Sequence, residues 1–304
     1  MKNLFIYFLI CLSFSLYAKN TSLPQKNKCI IWAFSDLQPR NEKECDDFKR
    51  AVDDVLKNKL EFTFAIVPGD IAQNPSGGQT FDVWDWYFGQ IGRCTGKQFF
   101  EITGNHDARK LDEYLERVKK PLHYYVTYGN LLIICLSDEI GTSGTEVSDD
   151  VIAWWKKLVE TNQDKIIITV THSHLKGSGF FYNVITYRNV AKPKKYTKVL
   201  KKNNVDLWLF GHTHVPTGYG DKTLTCNNLG GTTFVNVGAI RRDFFVSHTE
   251  SRFFEFVDGS DVVFIRTRNH DKQKDFAFYN YKIKLSKAFK QKDKKLQMVP
   301  YKKE

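Results

Sequence analysis

The chain has 304 residues, 42% of them hydrophobic and 26% charged, with a net charge of +11 and a pI near 9.2. That suffices for one large domain or two smaller ones with a real core, in the composition range of a soluble protein. The positive excess gathers at Lys282 to Lys303 without interleaved aromatics that would stack bases, so specific nucleic-acid binding is not expected.

Met1-Lys2 followed by an almost unbroken apolar run from Leu4 to Leu16, then Leu16-Tyr17-Ala18, has the form of a secretory signal peptide over residues 1–18. The reading is export to a periplasm or the cell exterior, with membrane attachment only if this segment is retained as an anchor. Five cysteines remain beyond it: Cys29, Cys45, Cys94, Cys135 and Cys226. None shows Cys-x-x-Cys spacing, which argues against a zinc–thiolate site. An odd number leaves at least one free thiol, and one surface disulfide through Cys94 or Cys226 stays open.

Cys29–Phe34 predicts a buried strand, and Cys45, Phe48, Val52, Val55 and Leu56 repeat at helical spacing. Phe62–Val67 is a second strand, followed by a Gly/Ser/Pro/Asn loop from Asn74 to Gln79 and an aromatic segment with Trp84, Trp86, Tyr87 and Phe88. Gln98–Thr103 is a third strand, and Leu111–Val118 a short helix. Strands are expected at His123–Tyr128 and Leu131–Leu136, then a helix capped by Ser148 with the stripe Val151, Trp155, Leu158 and Val159. Further strands fall at Lys165–Thr171, Val205–Phe210, Thr232–Val237, Arg252–Val257, Asp261–Thr267 and Phe276–Ile283. Residues 285–304 read as a basic, disordered tail. Alternating strands and helices giving way to consecutive strands indicate a single α/β domain over 28–284.

Five of the strands end in metal-capable residues: Asp36 with Gln38, Asp70, Asn105 with His106, His172, and His212 with His214. Residues at the carboxyl ends of strands in an open α/β sheet converge at one crevice. Carboxylate, amide and imidazole without thiolate suit Mn²⁺, Fe²⁺, Zn²⁺ or Mg²⁺. Any one of them alone is an ordinary turn residue or satisfied polar group; together they are not. His123, His248 and His270 have no such placement and are read as structural. His174 has no assigned role.

The order Asp36-x-Gln38, Gly69-Asp70, Gly104-Asn105-His106-Asp107, Thr171-His172 and Gly211-His212-Thr213-His214 resembles the calcineurin-like metallophosphoesterase family. The resemblance implies a four-layer α/β/β/α sandwich with mixed sheets and two divalent ions at its edge. It implies one ion on Asp36, Gln38, Asp70 and His214, and a second on the shared Asp70 with Asn105, His172 and His212. It further implies hydrolysis of phosphate mono- or diesters by a metal-bridging hydroxide, with His106 as general acid and Asn105 and His106 touching substrate. The loops Ala72–Arg93, Gly141–Glu146 and Lys176–Pro193 would choose among substrates, and Arg188, Arg241 and Arg242 read by their charge either as phosphate (substrate) contacts or, equally, as solvated surface charges.

The family's first motif usually carries histidine where this chain has Gln38. An amide oxygen is a weaker, harder donor than imidazole, so the expectation is a less tightly held first ion, with Mn²⁺ favoured. The competing reading is a weakly active or inactive scaffold of the same fold that binds a partner or an anionic surface. Oligomeric state is not legible.

Overall fold

The structure is a computed structural model describing residues 27–73, 82–178, 188–216, 223–242, 247–292 and 294–303. The leader over 1–18 and the Asn74–Gln79 loop lie outside them, as do parts of two of the loops expected to choose substrate. Two seven-stranded mixed sheets face one another. The first runs, in spatial order, β12 (Lys274–Asp275), β11 (Val262–Asn269), β10 (Glu250–Val257), β1 (Lys28–Ala33), β2 (Phe64–Val67) and β3 (Gln98–Glu101), with β13 (Tyr281–Lys284) also on β11. The second runs β14 (Gln297–Pro300), β4 (His123–Tyr128), β5 (Leu131–Leu136), β6 (Ile166–Val170), β7 (Leu207–Phe210), β9 (Thr232–Asn236) and β8 (Thr223–Cys226).

The two-residue period of each strand builds the layers. Cys29, Ile31 and Ala33 of β1 face the core between the sheets, against Leu131, Ile133 and Cys135 of β5. The alternate residue Trp32 turns outward with Phe34, onto a second core under α1 (Glu42–Lys57), α2 (Val83–Gly92) and α3 (Leu111–Val118). Leu132, Ile134 and Leu136 likewise turn outward beneath α4 (Asp149–Thr161) and α5 (Pro193–Leu200). The result is the expected four-layer α/β/β/α order. The parallel neighbours β1–β2–β3 and β5–β6–β7 point their carboxyl ends the same way within each sheet.

Several expectations are corrected. The described residues of 285–303 are not a loose tail, because Leu285 and Phe289 are buried between the sheets and β14 pairs with β4. Two apolar anchors among lysines are enough to dock a segment whose average composition reads as solvated. Ser148 does not cap α4 with its side chain; its hydroxyl donates to Glu139 instead. The expected strand Phe276–Ile283 is split into a short turn of 3₁₀ helix, Ala277–Tyr279, and β13. All five described cysteines are free thiols, and Cys94 and Cys226 are buried, which removes the surface disulfide.

The three histidines read as structural have carboxylate partners: His123 with Glu139, His248 with Glu250, and His270 with Asp54. His270 Nδ1 donates to Asp54 at 2.8 Å, and the Ser251 hydroxyl lies 2.7 Å from its Nε2. This has the geometry of a serine–histidine–aspartate relay, but all three residues are sealed from solvent, so it serves the core. Burial, with Arg268 beside it, lowers the pKa of His270 against the pull of Asp54. Burial acts upward on Asp54, but hydrogen bonds from Arg268 and His270 win and hold it at about 2. Both folded pKa values lie below those of the unfolded chain, about 6.5 and 3.9. Their stabilisation is therefore complete above those values and is lost as pH falls, first for His270 and then for Asp54 between about 4 and 2. Urea midpoints are expected to fall from pH 7 to pH 5 and again below pH 4. An Asp54→Asn variant that keeps the full acid limb would count against this assignment.

Candidate metal centre

The carboxyl ends of β1, β2 and β3 meet those of β6 and β7 across the gap between the sheets. Backbone bonds fix the loops there: Asp36 N–H donates to Gly69 O, Leu37 N–H to Asp70 O, and Gly211 N–H to His172 O. The His172 ring joins the sheets, its Nδ1–H donating to Pro68 O at 2.7 Å. Because a carbonyl can only accept, that bond leaves Nε2 for the site, where it lies 3.1 Å from Asp70 Oδ2.

The backbone carries strain where chemistry is expected. Asp36, Gln38, Asp70, His212 and His214 have φ of +56°, +28°, +56°, +70° and +48°. Each costs on the order of 1–3 kcal/mol and persists only where surrounding contacts over-determine it. Close approach adds to it: a Cβ on Gly104 would lie 2.1 Å from Asp70 Oδ1, and one on Gly69 2.2 Å from Gly104 N. Only glycine lets the two turns touch.

Asp70, His172 and His212 present ligand atoms within 4.8 Å of one another, all buried. Asp70 Oδ1 accepts the His106 N–H at 2.9 Å, and Oδ2 accepts the side-chain amide of Gln38. His212 Nδ1 sits 3.1 Å from His172 Nε2, while Arg188 Nε donates to its other nitrogen at 3.3 Å. Asp36 receives the His212 N–H at 2.9 Å and the Ser35 hydroxyl at 2.5 Å, with His214 Nε2 at 3.3 Å. Asn105 Oδ1 is buried and has no hydrogen-bond partner among the described residues. An oxygen left that way costs about 1–3 kcal/mol unless something fills its lone pairs. The next residue in its turn, His106, donates its N–H to Asp70, and a divalent cation held by Asp70, His172 and His212 would fit that need.

The charges of the cluster depend on one another. Burial works against charge on Asp70, but His172 and other nearby imidazoles outweigh it and hold the carboxyl far below its usual range. Burial also opposes charge on His172, yet Asp70 and Asp36 push it up to about 10. His212 is driven well below its ordinary value by burial and by the positive His172 and Arg188. For His106, burial lowers the pKa, helped by Arg109 and opposed by Asp70. Its Nδ1 lies 2.7 Å from Gln73 O, which fixes the ring.

Asp36, Gln38, Asp70, His172, His212 and His214 are thus linked by direct contacts, and His106, the residue after Asn105, reaches Asp70 through its N–H at the rim. Arg241 arrives differently: it is buried, its Nη1 donating to Gln38 O at 2.9 Å and Gln73 Oε1 at 2.8 Å, so it supports the Gln38 turn. Arg242 ion-pairs with Asp47 and Asp271. His174 is buried beside Phe210. Asp107, the last residue of the Gly104-Asn105-His106-Asp107 turn, has a part in the site to which its sequence position alone assigns no role. It accepts the backbone N–H groups of Ile71, Ala72 and Gly104 at 2.9–3.0 Å, locking the Asp70 turn to the Asn105 turn. Burial and the Asp70 charge push it up to about 7. Its place in Gly-Asn-His-Asp was the available signal.

Residues 30–216 match the model of the family described as calcineurin-like phosphoesterase. No curated protein matches the sequence. Among solved structures, a purple acid phosphatase from yellow lupin (Lupinus luteus) seeds is similar over 86% of this chain and 54% of its own, with 13% identity and a TM-score of 0.62. A Plasmodium protein described as GAP50, the anchor in the inner membrane complex, is similar over 86% of this chain and 90% of its own, with 15% identity and a TM-score of 0.58. At such identities the likeness is one of fold. The chain spans about half the length of the lupin phosphatase.

Proposed function

The chain belongs to the calcineurin-like phosphoesterase family, and from that membership we propose that it is a metal-dependent hydrolase of phosphate mono- or diesters. The observation that carries this is the buried Asp70, His172 and His212 group, with a buried, unpartnered oxygen on Asn105, whose neighbour His106 binds Asp70. Asp70, Asn105, His172 and His212 would hold one divalent ion, and Asp36, Gln38 and His214, with Asp70 shared, a second. Mn²⁺ is the favoured ion. Such ions supply Lewis acidity toward the phosphoryl oxygens and the attacking water.

The chain's own residues do the rest. Asp70 fixes the spacing of the two halves, since its carboxylate touches Gln38, His172 and the backbone of His106. His106 delivers a proton from Nε2 to the departing oxygen, because Nδ1 is committed to Gln73 O. Burial keeps the ring neutral before substrate arrives. The negative charge of a phosphate ester beside it acts in the opposite sense and charges it for that transfer. No serine or cysteine nucleophile is needed. The apolar leader supports export as part of the same reading, and the amino terminus of the protein collected outside the cell tests it.

The test of activity is turnover of para-nitrophenyl phosphate and its bis ester by metal-stripped protein with Mn²⁺, Zn²⁺, Fe²⁺ or Mg²⁺ restored. Turnover that depends on the ion is expected, and the preferred ester separates mono- from diesterase. His106→Asn is expected to lower kcat by about 10²–10⁴ with metal content unchanged, the usual weight of general acid catalysis. Folded protein without turnover on any ion would transfer support to the scaffold reading.

A further inference from the structure

Arg109 carries an exposed charge that no carboxylate among the described residues neutralises. Surface arginines away from the centre are paired, as Arg40 is with Glu44, Arg93 with Asp53, and Arg117 with Asp82 and Asp85. Arg109 instead touches Gly141 O, 3.3 Å from its Nε, and the His106 ring, whose Nδ1 lies 3.4 Å from its Nη1. Gln73 O takes the hydrogen on that Nδ1, so the ring nitrogen has no lone pair to offer the guanidinium. The Nη hydrogens are left to be given at the rim, beside the proton donor.

The backbone holds this arginine in place. The buried Asp138 carboxylate accepts the N–H of Gly141 at 3.0 Å and that of Glu146 at 2.8 Å, which fixes the loop between them. Gly141, at φ +77°, lies so close that a Cβ on it would stand 2.7 Å from Arg109 N. Ile140, on the same loop, is 54% exposed and offers an apolar surface.

We propose that Arg109 is a specificity-determining residue, which makes the site prefer phosphate esters whose alcohol part carries a further anionic group, a phosphate or a carboxylate, a few carbons beyond the ester oxygen. The inference rests on the metal-dependent reading above, with His106 as proton donor. His106 Nε2 then faces the ester oxygen, and Arg109 borders the other nitrogen of the same ring, so its charge lies one ring's width from the leaving oxygen. The transferred phosphoryl group belongs with the Asp70 cluster; what extends past His106 is the alcohol. A guanidinium takes two oxygens of a carboxylate or phosphate at once, in fixed geometry.

Phosphate esters of butanol, 4-hydroxybutanoate and 4-hydroxybutyl phosphate test this, made as monoesters or methyl diesters according to the class the para-nitrophenyl esters show the protein to hydrolyse. With Mn²⁺ restored, and with allowance for equivalent phosphates, kcat/KM is expected to be at least about fivefold higher for an ester with the second anion than for the butyl ester, the scale of a guanidinium–anion pair at an exposed rim. Whether the carboxylate or the phosphate ester shows the larger gain identifies the source of the anion. Arg109→Gln is expected to bring the ratio to about one, and Arg109→Glu to below one. A residue that only props the loop would lower all the rates together and leave the ratio in place. No preference in the unaltered protein, or a preference that survives in Arg109→Glu, overturns the proposal. No turnover of these esters or of the para-nitrophenyl esters on any ion overturns the metal-dependent reading, and this proposal with it.

Discussion

Asp70→Asn is expected to abolish metal-dependent ester turnover, by on the order of 10³-fold or more, while the protein stays folded. The substitution keeps the side chain's shape and removes one charge. That charge is what joins the loops: its oxygens take the Gln38 amide, the His106 backbone N–H and the neighbourhood of His172 Nε2. Lewis-acid stabilisation of a phosphoryl transition state is worth several kcal/mol. At about 1.36 kcal/mol per tenfold in rate, losing roughly 4 kcal/mol gives three orders of magnitude. The fold should survive, since an uncharged neighbour lets His172 shed its proton instead of remaining an unpaired buried cation. Elemental analysis should show the ion lost, and circular dichroism should be unchanged. Turnover within a few fold of the parent would remove Asp70 from the centre.

Much of this candidate centre is legible in the sequence, for a definite reason. Strands such as Leu131–Leu136 and Ile166–Val170 are buried on both faces and appear as continuous apolar runs, so their ends stand out. Whatever polar residue follows is then visible as a strand-end group: Asp70 after Val67, His172 after Val170, His212 after Phe210. What could not be read depends on partners distant in sequence. Nothing local says that Asp36 and His214 adopt left-handed backbone, because neither is glycine. The amide of Gln38 could be read as a ligand, but its turn toward Asp70, 32 residues on, could not. Arg241 looked like a phosphate contact by charge alone, and burial made it a support for Gln38. Strand β8 has a half-exposed, polar sequence, Thr-Leu-Thr-Cys, and exists by pairing with β9.

The carboxyl-terminal segment shows the same limit with a larger energetic consequence. Deleting residues 285–304 is expected to destabilise the protein by several kcal/mol, whereas removal of a disordered tail would leave its melting temperature unchanged. The segment leaves β13 on one sheet and ends as β14 on the other. On the way, Phe289 N–H donates to Ser260 O at 2.8 Å and Lys290 N–H to Asn130 Oδ1 at 2.7 Å, while Gln291 reaches Tyr128. These contacts lie where β1 and β5 begin, at the pole opposite the metal centre, and they close the open end of the inter-sheet core. Phe289, fully buried against Phe256, is the main plug. Phe289→Ala alone should cost about 3–5 kcal/mol. In a chain of this size that lowers the melting temperature by roughly 6–20 °C. The full deletion also removes Leu285 and the β14 ladder, and against a total stability of about 5–15 kcal/mol it should leave a substantial unfolded fraction at 37 °C. Because the plug is remote from Asp70, the Phe289→Ala protein should keep its metal content and kcat at temperatures where it is folded. A loss of activity there without loss of structure would mean that the far end of the sandwich sets the geometry of the centre.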